Sequence, residues 1–253
     1  MAVAYYISFP CEARKRYGDE KLLAMDNARC RAEIVLELLR KTPGEHRNKP
    51  ESEWVFNLHR LTPDEEEEVE VNVADLLAES APMKELADHC QNCPANLPEV
   101  PFGCGGTINY PIPAQTEKFL LSRLPDDLQS KRGQFLLNVI QTGIDGLRAD
   151  SQRRNLFESQ RPFFRTWGSF FSKKTQISSS QIFDLMFNVT PVVPSKYVRV
   201  ICYALGYIDD HGQAVPQEFT RAKHAHPNMS QMKQFLQAAV FATVNNLDMY
   251  VES

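Results

Sequence analysis

Residues 87–106, ADHCQNCPANLPEVPFGCGG, hold three of the six cysteines in this 253-residue chain, among three prolines and three glycines. The stretch reads as a turn-rich loop between a helix and a strand. Before it, strand and helix patterns alternate; beyond residue 113 the texture turns helical. The expected fold is therefore α+β: an N-terminal mixed α/β part with a cysteine-rich loop, residues 1–113, then a mostly helical part, residues 114–253. The two either share one core or stand as separate domains.

Working outward towards the N-terminus, GTINYPI (residues 106–112) reads as a strand, and Ser80 followed by Pro82 marks a short helix running to about His89. Residues 54–61, WVFNLHRL, and residues 3–9, VAYYISF, are β-branched and aromatic and read as two further strands. The acidic run Glu65 to Glu68 lacks the alternating spacing of an oxygen cage and is read as a solvated face. From Asp19 to about Lys41 two apolar stripes recur at helical spacing. One holds Leu22, Met25, Ala28, Ala32, Val35, Leu36 and Leu39, the other Leu23, Cys30, Ile34 and Leu38. Two stripes predict a helix buried on most sides. Towards the C-terminus five segments carry helical periodicity: residues 113–124, 130–150, 178–188, 194–208 and 230–251.

The cysteine spacing carries the chemistry. Cys90 and Cys93 form a C-x2-C pair and Cys104 lies in FGCGG. Two thiolates three residues apart can face one ion, and glycines beside the third let its backbone wrap close to the same centre. A tetrahedral site wants a fourth ligand, and Cys11, at the end of the first strand, is the best candidate. Cys30 and His89 are weaker ones, and Cys202 reads as a small hydrophobe in a helix. The expected metal site is thus Cys11, Cys90, Cys93 and Cys104, with zinc favoured and an iron–sulfur cluster as the alternative. Pro94 has no N–H for a sulfur, whereas Gly105 and Gly106 have theirs, which speaks for a cluster. Because a helix precedes Cys90, a metal is favoured over a thioredoxin-like dithiol. A closed four-sulfur shell points to a binding or regulatory role, with an unidentified protein or small molecule as partner. An iron–sulfur redox or sensor protein, or a metal-dependent enzyme, is the alternative.

Composition sets the bounds. Apolar residues make up 43% and charged residues 24%, the profile of a chain that folds. A net charge of −4 gives no global drive towards nucleic acid. Residues 161–174, RPFFRTWGSFFSKK, interleave aromatics with cations in the way of single-strand-binding surfaces, so nucleic-acid binding there is a second alternative, although such rings more often form core. The N-terminus makes a poor secretory signal, and no stretch approaches the ~18 apolar residues of a membrane span. A cytoplasmic setting follows, where clustered thiols favour metal or redox chemistry over disulfides. Asp209 to Gly212 (DDHG) with His224 and His226 can be drawn as a second metal centre, but YIDDHGQAV reads more simply as a hairpin. Walker A, G-x-G-x-x-G, H-E-x-x-H and G-x-S-x-G motifs are absent from the sequence.

Overall fold

In the computed structural model the described residues are 2–61, 66–97, 102–143, 163–168, 174–187, 192–216 and 227–252. Strand β1 (Ala2–Ile7) organises the first of two units, Met1–Phe9 with Pro94–Ser253. Val3, Ala4, Tyr5, Tyr6 and Ile7 are all buried, as the unbroken apolar run of a strand covered on both faces requires. On one side β1 pairs with β4 (Gly105–Asn109), Tyr6 opposite Gly105; on the other it pairs with β8 (Met249–Glu252), Ile7 opposite Met249. A short strand β7 (Val192–Val193) completes the antiparallel order β4-β1-β8-β7.

Helix α7 (Pro227–Val244) packs on β4 and β1. The Tyr5 ring meets Phe235 edge-on at 5.1 Å, and Phe235 meets Phe187 of α5 (Ser179–Phe187) at 5.4 Å. Asn109 fixes the start of α7: its carbonyl accepts from Asn228 Nδ2, and its N–H donates to Gln231 Oε1 at 3.0 Å.

The helical pattern expected over residues 230–251 is divided in the structure. Helix α7 stops at Val244, and Asn246 takes a left-handed conformation (φ 53°) whose N–H returns to the Thr243 carbonyl, while Leu247 N–H returns to Ala242. Asparagine tolerates that conformation and ends helices with it. The chain then enters β8 and closes on β1, which lies more than two hundred residues earlier. The expected division at residue 113 falls inside this unit, since β4 and β8 flank the same strand.

The second unit, Pro10–Cys93, is built on α1 (Glu12–Lys41), which starts before the expected Asp19 and is broken at Gly18 (φ 75°). Arg14 bridges the break to Asp19 at 2.7 Å. The first apolar stripe packs inward, where Val35 and Leu39 join Trp54 and Val73 in a core flanked by Leu36, Phe56 and Leu77. In the second stripe Leu23 is buried, but Ile34 and Leu38 are 45% and 47% exposed, so α1 is not covered on most sides within the described residues. Strands β2 (Val55–Leu61) and β3 (Glu66–Asn72) form a hairpin, on which Glu68 and Glu70 are exposed, as a solvated acidic face should be.

Helix α2 (Val73–Lys84) begins well before the expected Ser80 because Asn72 supplies the cap, its Oδ1 accepting from Ala74 N–H at 2.9 Å. Ser80 lies buried inside α2 and its hydroxyl turns back to the Leu77 carbonyl, so the Ser-x-Pro pattern marks the last turns of a helix and not its start. Helices occur in both units and the strands among the described residues form three small antiparallel sheets, so the fold is α+β. Among the described residues no helix is long and apolar enough to cross a membrane.

Candidate metal centre

Cys90 and Cys93 share one turn. After α2 a 3-10 turn spans Ala87–Cys90, and Cys93 N–H donates to the Cys90 carbonyl at 3.2 Å. That bond makes residues 90–93 a β-turn with a thiol at each end. The pair follows helical backbone instead of opening a helix, the reverse of the arrangement that activates a dithiol catalyst. Two thiols at the ends of one turn are close enough in sequence to face a single ion.

The other two expected ligands have different surroundings. Cys11 is the N-cap of α1, its Sγ accepting from Arg14 N–H at 3.5 Å. Cys104 is buried ahead of β4, and its carbonyl accepts from Ile7 N–H at 2.9 Å. This puts residue 104 beside the end of β1, and the chain runs four residues further before reaching Cys11. Cys11, Cys90 and Cys93 belong to the second unit and Cys104 to the first. Among the described residues no three His, Cys, Asp or Glu side chains gather as a metal centre. Within the second unit, residues 90–93 form a two-thiol turn.

Gly105 and Gly106 of FGCGG stand against two tyrosine rings of β1. A Cβ on Gly105 would lie 2.7 Å from Tyr6 Cδ2, and one on Gly106 2.7 Å from the Tyr5 hydroxyl. Glycine at both positions gives room to two buried tyrosine rings. Gly105 N–H also donates to the Phe102 carbonyl at 3.0 Å, which removes it as a donor to a cluster sulfur.

None of the six cysteines forms a disulfide. Cys202 is fully buried, takes a hydrogen bond from Thr243 Oγ1 at 3.4 Å, and has its pKa pushed up to about 12 by burial. It is the small hydrophobe expected. Burial, reinforced by Asp26, pushes the Cys30 thiol up to about 11, so neither residue offers a thiolate at neutral pH. His89 is exposed on the 3-10 turn.

In the aromatic and basic segment, the described residues 163–168 and 174 include the hairpin strand β5 (Phe164–Trp167), paired with β6 (Thr175–Ser178). Arg165 Nη1 donates to the carbonyls of Leu121, Ser122 and Leu124 at the end of helix α3 (Ala114–Ser122), and Nη2 to Asp126 at 2.5 Å. Its guanidinium lies over the Trp167 ring, whose N–H donates to the Pro125 carbonyl at 3.0 Å. These two side chains hold the molecule together, whereas Phe164 is 57% exposed.

DDHG forms the expected hairpin turn, with Ile208 opposite Ala214 and Asp209 Oδ1 accepting from His211 and Gln213 N–H. His224 and His226 lie outside the described residues.

Sequence reasoning passed over Glu117, whose surroundings resemble an ordinary helix surface. In the structure it is fully buried and its Oε2 accepts from Ser179 Oγ at 2.6 Å, while Ser179 Oγ accepts from Phe163 N–H. The pair ties α3 to the start of α5. Comparison of the chain with protein-family models, with curated proteins and with solved structures returns no match.

Proposed function

We propose that this chain is a zinc-binding protein of the cytoplasm with a binding or regulatory role, in which Cys90 and Cys93 chelate the ion and Cys11 and Cys104 are the remaining thiolates. The observation that carries the reading is the Cys90–Cys93 turn, which holds two thiols at the ends of one tight hydrogen-bonded loop. Cys30 and Cys202 are set aside by their raised pKa values. The engagement of Gly105 N–H by Phe102 favours zinc over an iron–sulfur cluster, whose sulfurs call for nearby donors. A four-thiolate shell is closed to substrate, hence the binding role.

The test is elemental analysis and visible absorption of protein purified without chelator or oxygen. The expected result is about one colourless zinc per chain. Cys90→Ser and Cys93→Ser each lose it and Cys202→Ser retains it; equal zinc in all three overturns the reading. Iron with sulfide and a brown colour would replace zinc by a cluster.

A further inference from the structure

We propose that Arg123 and Arg132, in the first unit, form a binding site for a phosphate group. Arg132 stands in the first turn of α4 (Lys131–Thr142), a twelve-residue helix capped by Ser130 Oγ on Gly133 N–H. That turn carries Lys131 and Arg132 and no acid. Cations at a helix N-terminus oppose the macrodipole, so the local sequence is electrostatically unfavourable by itself. Departures from local rules of this kind concentrate at functional sites.

The two cations differ in what answers them. Lys131 pairs with Asp210 at 2.9 Å, and Asp210 also accepts the Tyr203 hydroxyl at 2.6 Å. Among the described residues, no acceptor lies within hydrogen-bond distance of the Arg132 guanidinium. It rests instead on Gly206 (φ 74°), where a Cβ would meet Nη1 at 2.0 Å. The next residue, Tyr207, carries the second guanidinium: Arg123 lies 4.8 Å over its ring, with a buried Nε that has no acceptor. Two arginine heads thus sit on two consecutive residues that close the C-terminal turn of α6 (Ser195–Ala204).

The surrounding charge is positive. Burial and then the charge of Arg123 hold the Arg132 pKa below its ordinary value, Arg165 acting in the same sense; Tyr203 and Asp126 oppose it. Asp126 is already bonded to Arg165, and Asp210 to Lys131. Two half-buried like charges held together cost free energy that an anion between them would recover. Guanidinium forks donate bidentately to oxyanions, and two forks beside a helix N-terminus offer donors from separate directions, which suits a tetrahedral phosphate better than a planar carboxylate.

The inference is independent of the thiol reading, and the double variant Cys90→Ser/Cys93→Ser should bind phosphate unchanged. Inorganic phosphate is titrated into the full chain by calorimetry, with chloride at matched ionic strength as reference. Saturable binding is expected, weakened on the order of tenfold or more in Arg132→Gln and in Arg123→Gln, each of which loses charge-assisted hydrogen bonds. Arg132→Lys keeps the charge without the fork and should also bind more weakly, while Arg199→Gln, whose guanidinium lies by Gly212, should match wild type. Heat from phosphate no different from that from chloride in the wild-type chain overturns the proposal whatever the variants do. So does undiminished affinity in folded Arg132→Gln, and acetate binding as tightly as phosphate overturns the ligand class.

Discussion

At the scale of the residue, FGCGG shows how one pattern serves two chemistries. Glycines around Cys104 suit a metal loop, yet in the structure they accommodate Tyr5 and Tyr6. Gly105→Ala decides between the two. A strand alanine gains roughly 0.5–1 kcal/mol over glycine, while overpacking against the buried Tyr6 ring and the Tyr5 carbonyl, 3.1 Å from the new Cβ, costs about 1–3 kcal/mol. The expected outcome is a net loss of about 1–2 kcal/mol in urea unfolding, equal with and without chelator. A loss confined to the metal-loaded protein would restore the metal role of that glycine. The two thiols were legible as sharing one turn because C-x2-C is a local spacing. Arg123 and Arg132 were not legible, since nothing local says that two cations nine residues apart will rest on Gly206 and Tyr207.

Elements are joined by polar side chains whose roles no period reveals. Arg165 reaches three carbonyls at the end of α3 as well as Asp126. A cation at a helix C-terminus meets both orphan acceptors and the negative dipole end. The Asp126 side chain is fully exposed, so that ion pair contributes little beside the carbonyl bonds. Arg165→Ala should therefore lower stability by about 2 kcal/mol, Arg165→Lys by less, and Asp126→Ala by under about 0.5 kcal/mol, read as urea midpoints. Equal losses in Arg165→Ala and Asp126→Ala would show that the ion pair dominates. Strands β1 and β2 were visible in the sequence from β-branched and aromatic content and most of helix α1 from apolar period, whereas β3 was not, because its acidic run reads as a solvated face. The starts of α1 and α2 were misplaced because Cys11 and Asn72, the caps actually used, lie outside the apolar runs.

For the whole molecule, the sheet joins the two ends of the chain. Removal of residues 247–253 deletes β8 with its buried Met249 and Val251 and leaves one edge of β1 unpaired. An apolar open edge invites aggregation, so the truncated chain should lose its cooperative thermal transition and protection from hydrogen exchange in β1. Wild-type protection there would mean that β8 does not pair with β1. By itself the sequence determined the α+β class, the presence of the first strand, the apolar setting of Cys202 and the two-thiol turn, because each is read from local pattern and spacing. Only tertiary structure decided which strands flank β1, why Gly105 and Gly106 are glycines, and that two arginines share one surface. Each of those depends on contacts between residues remote in sequence, which local periodicity does not encode.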